Sequence, residues 1–277
     1  MTCRVRILCD NNAGPISGTL GEHGFAALIE REGESILFDT GGGLTLLHNA
    51  QRMNLDLRSV RQVVLSHGHF DHAGGLWPLL QSCGAKQVLA HPGVFARRYT
   101  IRDGVPRAIG LPYAEEFLAG MGASFSYSDA FRKVAPGIFL TGEVPRLASF
   151  EEGDAGLFCD STGCCSDGVL DDQSLVILTQ KGLLLLLGCC HAGVVNTVEH
   201  ARQQTGVSEL YGVIGGCHLA FSSGAQIEGT VRALRRYGVK KICAGHCTGF
   251  AASARLAREF PGIFRPAHVG YTLEYEE

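Results

Sequence analysis

The stretch VVLSHGHFDHAGGL (63–76) sets three histidines and an aspartate within six positions, directly after a short apolar run. A β-branched run such as RQVVLS reads as a strand, so four titratable side chains stand where a strand has just stopped. Either they form a solvated polar loop, or the chain converges on them and uses them. The same ending recurs three more times. LLLLLG is followed by Cys189, Cys190 and His191, VIGG by Cys217 and His218, and KICAG by His246. A single strand-end histidine is commonly a structural residue. Four are hard to explain separately, because strand ends in layered α/β folds converge on a crevice where ligands bind.

The spacing within HGHFDH favours metal. In extended backbone, residues two apart face the same side, so His67 and His69 can grip one ion together. Asp71 and His72 sit where the chain turns into the next helix and can face a second ion. A mixture of imidazole and carboxylate suits zinc, iron or manganese. Gly68 allows close backbone approach, and Gly74 and Gly75 keep the floor narrow.

Around this stretch, strand and helix patterns alternate. RVRILCD reads as a strand, and FAALIERE with GESILFDTG as a hairpin turning at Gly33. Helices are expected over 44–54 and AGGLWPLLQSCG, and a strand over KQVLAHP. The later half runs strand (SLVILTQ), strand (LLLLLG), helix (VVNTVEHARQQTG), strand (ELYGVIGG), helix (IEGTVRALRRYG), strand (KKICAG) and helix (AASARLAREF). The region of about 95–170 carries one candidate helix, YAEEFLAGMG, and a long loop, and is expected to be an inserted loop or lid. HFDHAGGL and GCCHAGVV echo each other as a histidine with small residues after an apolar strand.

Composition excludes several function classes. A net charge of −3 gives no reason to expect nucleic acid or an anionic membrane as partner. The start lacks a charged segment leading into a long apolar one, and LLLLL at 183–187 is far too short to span a bilayer, so a cytoplasmic location is expected. The eleven cysteines, without an export signal or a CxxC pair, read as reduced thiols. The adjacent pairs Cys164–Cys165 and Cys189–Cys190 read as small packing residues.

HGHFDH is the HxHxDH signature of the metallo-β-lactamase superfamily, and LFDTG at 37–41 resembles its upstream strand. DNN, EHG, AHP, PRLASFE, DDQSLVI, GCCHAGVVN, GGCHL and GHCTG resemble, in order, the motifs of one subgroup of its metal-dependent hydrolases. Some members of that subgroup are described as synthases of a ribofuranosylaminobenzene 5'-phosphate part of methanopterin. The resemblance spans residues 10–249. It implies an α/β fold, an αββα four-layer sandwich of two mixed β-sheets flanked by helices, in a single domain over 1–277. It implies that His67 and His69 hold a first ion, and that Asp71, His72 and His246 hold a second. Where the superfamily places a bridging aspartate after LLLLLG, this chain has Cys189, with His191 two positions on. His191 is taken as a ligand, since a histidine at that strand end has little else to do. The expected intermediate histidine falls near DDQS, where Asp171 or Asp172 can substitute.

The cofactor expected is a divalent metal, as two ions, with zinc foremost and iron or manganese as alternatives. Asp71 and His218 are the candidate catalytic residues. His218 is also read as a substrate binder, with metal ligation as its alternative. Asn12, His23 and Arg146 are candidate substrate contacts, Arg146 because a guanidinium fork suits phosphate or carboxylate, against a surface salt bridge. Asp39 is expected to orient a ligand histidine rather than touch metal. The partner is a small molecule, which can be anionic. The leading reading is a hydrolase acting on an ester, lactone or phosphoester through a metal-activated water. A synthase or transferase on a pterin- or sugar-phosphate-related substrate, and an iron-dependent redox or sensing protein, are the alternatives.

Overall fold

The computed structural model describes residues 2–16 and 18–276. The chain divides into two compact units. One contains the chain up to Ser128, Ala155–Asp167 and the segment from His268 onward, and the other contains Asp129–Asp154 and Gly168–Ala267.

The first unit is built on a mixed seven-stranded sheet in the order Thr272–Glu276, Thr2–Cys9, Ala26–Arg31, Glu34–Phe38, Gln62–Val64, Lys86–Ala90, Ala123–Tyr127. The first four strands pair antiparallel, and from Glu34–Phe38 onward the pairing is parallel. The expected hairpin forms with Arg31 opposite Glu34, and Glu32 and Gly33 turn it with φ of 53° and 84°. Two consecutive positive φ values match the twist of the flanking strands, and glycine takes the second at no steric cost. Leu8, Leu37, Val63, Leu65 and Val88 pack against Leu46 and Ala50 of helix Leu46–Arg52 and Leu76, Leu79 and Leu80 of helix Leu76–Cys83. Each such leucine, fully buried, contributes roughly 1.5–3 kcal/mol. AGGLWPLLQSCG starts its helix only at Leu76, and FDHA forms a separate single turn before it. Pro78 sits in the first turn of that helix, where its missing N–H has no intrahelical partner to lose.

Within 95–170 the sequence pattern resolved little, yet short strands are present. Tyr99–Arg102, Val105–Ala108 and Leu157–Phe158 form a three-stranded sheet. They are too short to show alternation. The expectation of reduced thiols is corrected at one place: Cys159 and Cys165 are disulfide-bonded. The flanking residues bring them together, since Phe158 bridges Ser166 and the Cys159 N–H donates to the Cys165 carbonyl. The other nine cysteines are free thiols, and Cys190 packs in the core as the sequence suggested.

The second unit holds another mixed seven-stranded sheet, ordered Phe264–Pro266, Lys241–Gly245, Leu210–Gly216, Gly182–Leu187, Leu175–Thr179, Ile138–Leu140, Arg132–Ala135. Its first four strands are mutually parallel. Gly182–Leu187 is buried along its whole length, which is why it reads as an unbroken leucine run rather than an alternating one. Leu183, Leu185 and Leu187 share a core with Val194, Val198 and Ala201 of helix Val194–Thr205 and Val231 and Leu234 of helix Gly224–Arg236. Parallel pairing sends the carboxyl ends of these strands the same way, so Cys189, Cys217 and His246 leave from one edge of this sheet. Among the described residues no helix is long and apolar enough to cross a membrane.

Candidate metal centre

In the first unit the strands Glu34–Phe38 and Gln62–Val64 run parallel and release their chain at the same end. Asp39 follows one and Ser66 and His67 follow the other, all completely buried. Asp39 adopts φ of 60°, a conformation uncommon outside glycine, asparagine and aspartate. That turn brings its carboxylate onto three donors. Oδ1 accepts from the Ser66 N–H at 2.7 Å, while Oδ2 accepts from Ser66 Oγ at 2.7 Å and faces His72 Nδ1 at 2.7 Å. Ser66 Oγ has one proton and gives it to Asp39, so it accepts from His67 Nδ1 at 2.9 Å. With both Nδ1 atoms carrying their protons, His67 and His72 each keep a lone pair on Nε2 for a metal. Asp39 therefore holds the orienting place expected from the sequence.

The outward-facing atoms are closely grouped. His67 Nε2 lies 2.9 Å from His69 Nδ1. Two nitrogens on one tetrahedral zinc are about 3.3 Å apart, given bonds of ~2.0–2.1 Å, so this pair is near the spacing of joint ligands. Asp71 Oδ2 is 3.2 Å from His23 Nε2 and 3.6 Å from His72 Nε2. The glycines are sterically required. A Cβ on Gly68 would sit 1.9 Å from the Val94 carbonyl oxygen, and one on Gly75 would sit 2.0 Å from that of Thr40. His23 is more than half exposed and also meets Asn11 Nδ2 at 3.4 Å. Asn12 turns back on its own loop, its N–H and Nδ2 both directed at Asp10 Oδ1.

The second unit offers sulfur beside imidazole. Cys189 and His246, both buried, place Sγ and Nε2 3.3 Å apart. Cys247 Sγ lies 3.5 Å from the Cys189 carbonyl oxygen and accepts from the His218 N–H at 3.3 Å. One ligand atom from each of Cys189, His218 and Cys247 falls within a 4.8 Å group. Small residues let these turns approach, since a Cβ on Gly216 would be 2.6 Å from Cys247 Sγ. His191 stacks obliquely on His218 with ring centroids 4.1 Å apart, and His218 in turn meets Phe221 at 5.0 Å. Cys190, His218 and His246 all have positive φ, so three strand exits in this edge are sharply turned.

Carboxylates hold these turns. His218 Nε2 meets Asp154 Oδ2 at 3.3 Å. Burial works against a charge on His218, but Asp154 and the Cys247 sulfur outweigh it and push its pKa up to about 10. Asp172 Oδ2 accepts from the Ala192 N–H at 3.0 Å and so braces the turn that carries His191. Burial pushes Asp172 up to about 6, against the backbone N–H groups of Ala192 and His191 that favour its charge. Glu151 caps helix Val194–Thr205 with both oxygens, accepting from Val195 N–H at 2.9 Å and Asn196 N–H at 2.8 Å. Arg146 directs Nη2 at the carbonyl oxygens of Gly168 and Val169, which is neither a surface salt bridge nor an open fork.

Sequence reasoning missed Ser66, Asp154, Glu151 and Cys247. Ser66 stands next to the first histidine and was legible as a short hydroxyl at the strand end. Asp154 and Glu151 lie far along the chain from the residues they brace and leave no local pattern.

The donors of each unit fit a divalent metal of borderline softness: imidazoles with a carboxylate in the first, and imidazoles with thiols in the second. Comparison with known proteins agrees. Residues 20–157 match the model of the metallo-β-lactamase superfamily. The chain is 33% identical over 98% of its length to a Methanocaldococcus jannaschii protein named 7,8-dihydropterin-6-methyl-4-(β-D-ribofuranosyl)-aminobenzene-5'-phosphate synthase, covering 96% of it. An uncharacterized protein of the same organism is 32% identical over 96% of this chain and 98% of its own. The crystal structure of Tm1679, a metal-dependent hydrolase of the β-lactamase superfamily, superposes with a TM-score of 0.85 at 29% identity, covering 99% of this chain and 100% of that one. The chain belongs to the metallo-β-lactamase superfamily, in its clade of metal-dependent hydrolases.

Proposed function

We propose that this protein is a metal-dependent hydrolase of small esters, lactones or phosphoesters, with two divalent ions, zinc foremost. His67 and His69 hold the first ion, and Asp71 and His72 the second; His191 and His246 are the further ligands proposed. The observation that carries this reading is the Asp39–Ser66 network, which fixes both imidazole tautomers with Nε2 lone pairs outward. A buried network of that form has a clear use in metal binding and little in packing alone.

Bound metal supplies Lewis acidity, which lowers the pKa of a water from about 15.7 toward about 7. The chain's own residues do the rest. Asp71 has Oδ2 poised between two imidazoles and can take up the proton of the attacking water. His218, kept protonated by Asp154, is the donor to the leaving group. Its neighbour Phe221 gives the substrate an apolar wall. His23, Asn12 and Arg146 are the polar contacts proposed for the remainder of the substrate. Arg146 would first have to release the Gly168 and Val169 carbonyls.

A second reading is favoured by the named synthase relative: transfer chemistry on a pterin- or sugar-phosphate-related substrate. One experiment separates the two. Protein freed of metal by chelation and reloaded with zinc, manganese or ferrous iron is assayed on phosphodiester, lactone and thioester panels, with binding of sugar phosphates measured in parallel. Metal-restored hydrolysis, lost in His69→Ala, is the expected result. Tight sugar-phosphate binding with no hydrolysis of any panel member would favour the synthase instead.

A further inference from the structure

We infer that His23 is a positioning residue for Asp71, with its imidazole locked by Asn11 in the tautomer whose Nε2–H donates to the Asp71 carboxylate. The inference rests on the metal-dependent reading above and gives His23 a task there beyond substrate contact. The direction of each hydrogen bond follows from the one before. The Gly24 N–H faces Asn11 Oδ1 at 3.3 Å, and a main-chain N–H can only donate, so the amide oxygen is the atom turned to Gly24. That leaves Nδ2, which also only donates, 3.4 Å from His23 Nδ1. Nδ1 therefore accepts, and a neutral ring carries its one proton on Nε2. Nε2 lies 3.2 Å from Asp71 Oδ2, an acceptor. The same oxygen is 3.6 Å from His72 Nε2, so the hydrogen bond from His23 holds the Asp71 carboxylate beside a proposed metal ligand.

The main chain builds this arrangement. The Glu22 N–H donates to the Asp10 carbonyl at 3.1 Å, and the Phe25 N–H to that of Asp71 at 3.1 Å. The loop bearing His23 is thus tied on one side to the residue before Asn11 and on the other to Asp71 itself. Gly24 is required between them, since a Cβ there would sit 2.6 Å from the Asp71 carbonyl oxygen. Packing does not account for the placement of the ring: the His23 side chain is 59% exposed, against 8% for Asp71. A plain ion pair with Asp71 does not account for Asn11 either, because an imidazolium would set its Nδ1–H against the amide N–H groups. The DNN and EHG stretches of the sequence meet at one hydrogen bond, and its use is to aim Nε2–H.

The test is NMR of the full chain carrying histidine isotopically labelled at the ring nitrogens, metal-free and zinc-loaded, with His23 assigned by the signals missing from His23→Gln. Wild type should show His23 protonated at Nε2 alone at neutral pH. Asn11→Ala should shift both ring nitrogens toward the values of a ring exchanging between tautomers. In zinc-loaded protein, with bis(p-nitrophenyl) phosphate as probe, His23→Ala should lower kcat by about 10–100-fold with KM little changed. Asn11→Ala should lower it less, and His23→Gln, whose amide N–H can replace Nε2–H, should recover most of the loss. Asn11 and His23 are exposed, so none of these variants removes core packing. A wild-type ring protonated at Nδ1, alone or together with Nε2, would overturn the inference, as would spectra unchanged by Asn11→Ala. A raised KM with kcat intact in His23→Ala would make His23 a substrate contact and overturn it as well. The metal-free spectra decide the tautomer independently of activity, so a wild type inactive on every substrate of the panel would overturn the hydrolase reading without touching this one.

Discussion

The two units supply their donor groups by different means. In the first, four of the groups lie within HGHFDH, and two of them, His67 and His72, are oriented by a hydrogen-bonded lattice around one buried carboxylate, Asp39. In the second, Cys189, His191, His218 and His246 come from three separate strand exits; Asp172 braces the turn of His191, Glu151 caps the helix that follows it, and Asp154 meets His218. Local spacing can encode the first arrangement. The second exists only once parallel strands have set their carboxyl ends side by side. The lesson is that positioning is concentrated in one residue on one side and distributed on the other, so substitutions should act sharply in the first unit and by degrees in the second.

The largest effect expected on the second side is at His218, the proposed proton donor. His218→Ala should lower kcat by about 10²–10⁴-fold while metal content, measured by elemental analysis, stays at the wild-type level. Loss of metal along with activity would make His218 a ligand. On the first side, Asp39→Asn should weaken metal affinity by roughly 10–100-fold, because it leaves the tautomers of His67 and His72 unfixed. Affinity is read by competition with a chromophoric chelator, and an unchanged value would break the contrast between a concentrated and a distributed scaffold. Asp172→Asn should fall below that in metal affinity loss, since one of several braces is altered and the amide oxygen can still accept from Ala192.

The smallest effect concerns stability. Glu151→Ala removes the acceptor for two N–H groups at the start of helix Val194–Thr205 and should cost about 2 kcal/mol in chemical denaturation. Burial holds the Glu151 pKa above the usual glutamate range, and the capping N–H groups oppose that shift without cancelling it. A folded-state pKa above the unfolded one contributes stability that is full at acid pH and is lost as pH rises through it. The wild-type advantage over Glu151→Ala should therefore be larger at acid pH and narrow toward neutrality. A margin that widened instead would show that the carboxylate's charge, not its burial, dominates.

Much of this was legible in the chain. HGHFDH located the densest group, its two-residue spacing paired His67 with His69, and Asp39 was recognisable as an orienting residue. The regular strands and helices of both sheets followed from hydrophobic period. What escaped detection did so for identifiable reasons. The strands within 99–108 and 132–140 are three or four residues long, below the length at which alternation can be seen. Asp154 lies 64 positions from His218, and a contact of that span has no local signature. The Cys159–Cys165 pair was obscured because two cysteines six positions apart, among eleven, carry no pairing signature of their own.

The central claim is that the Asp39–Ser66 network presents His67 and His72 to a metal ion, and anomalous scattering from a metal-loaded crystal tests it most directly. Data collected at the zinc edge should show peaks within bonding distance of His67, His69, Asp71 and His72. Zinc sites elsewhere, with these four side chains in unrelated surroundings, would contradict it.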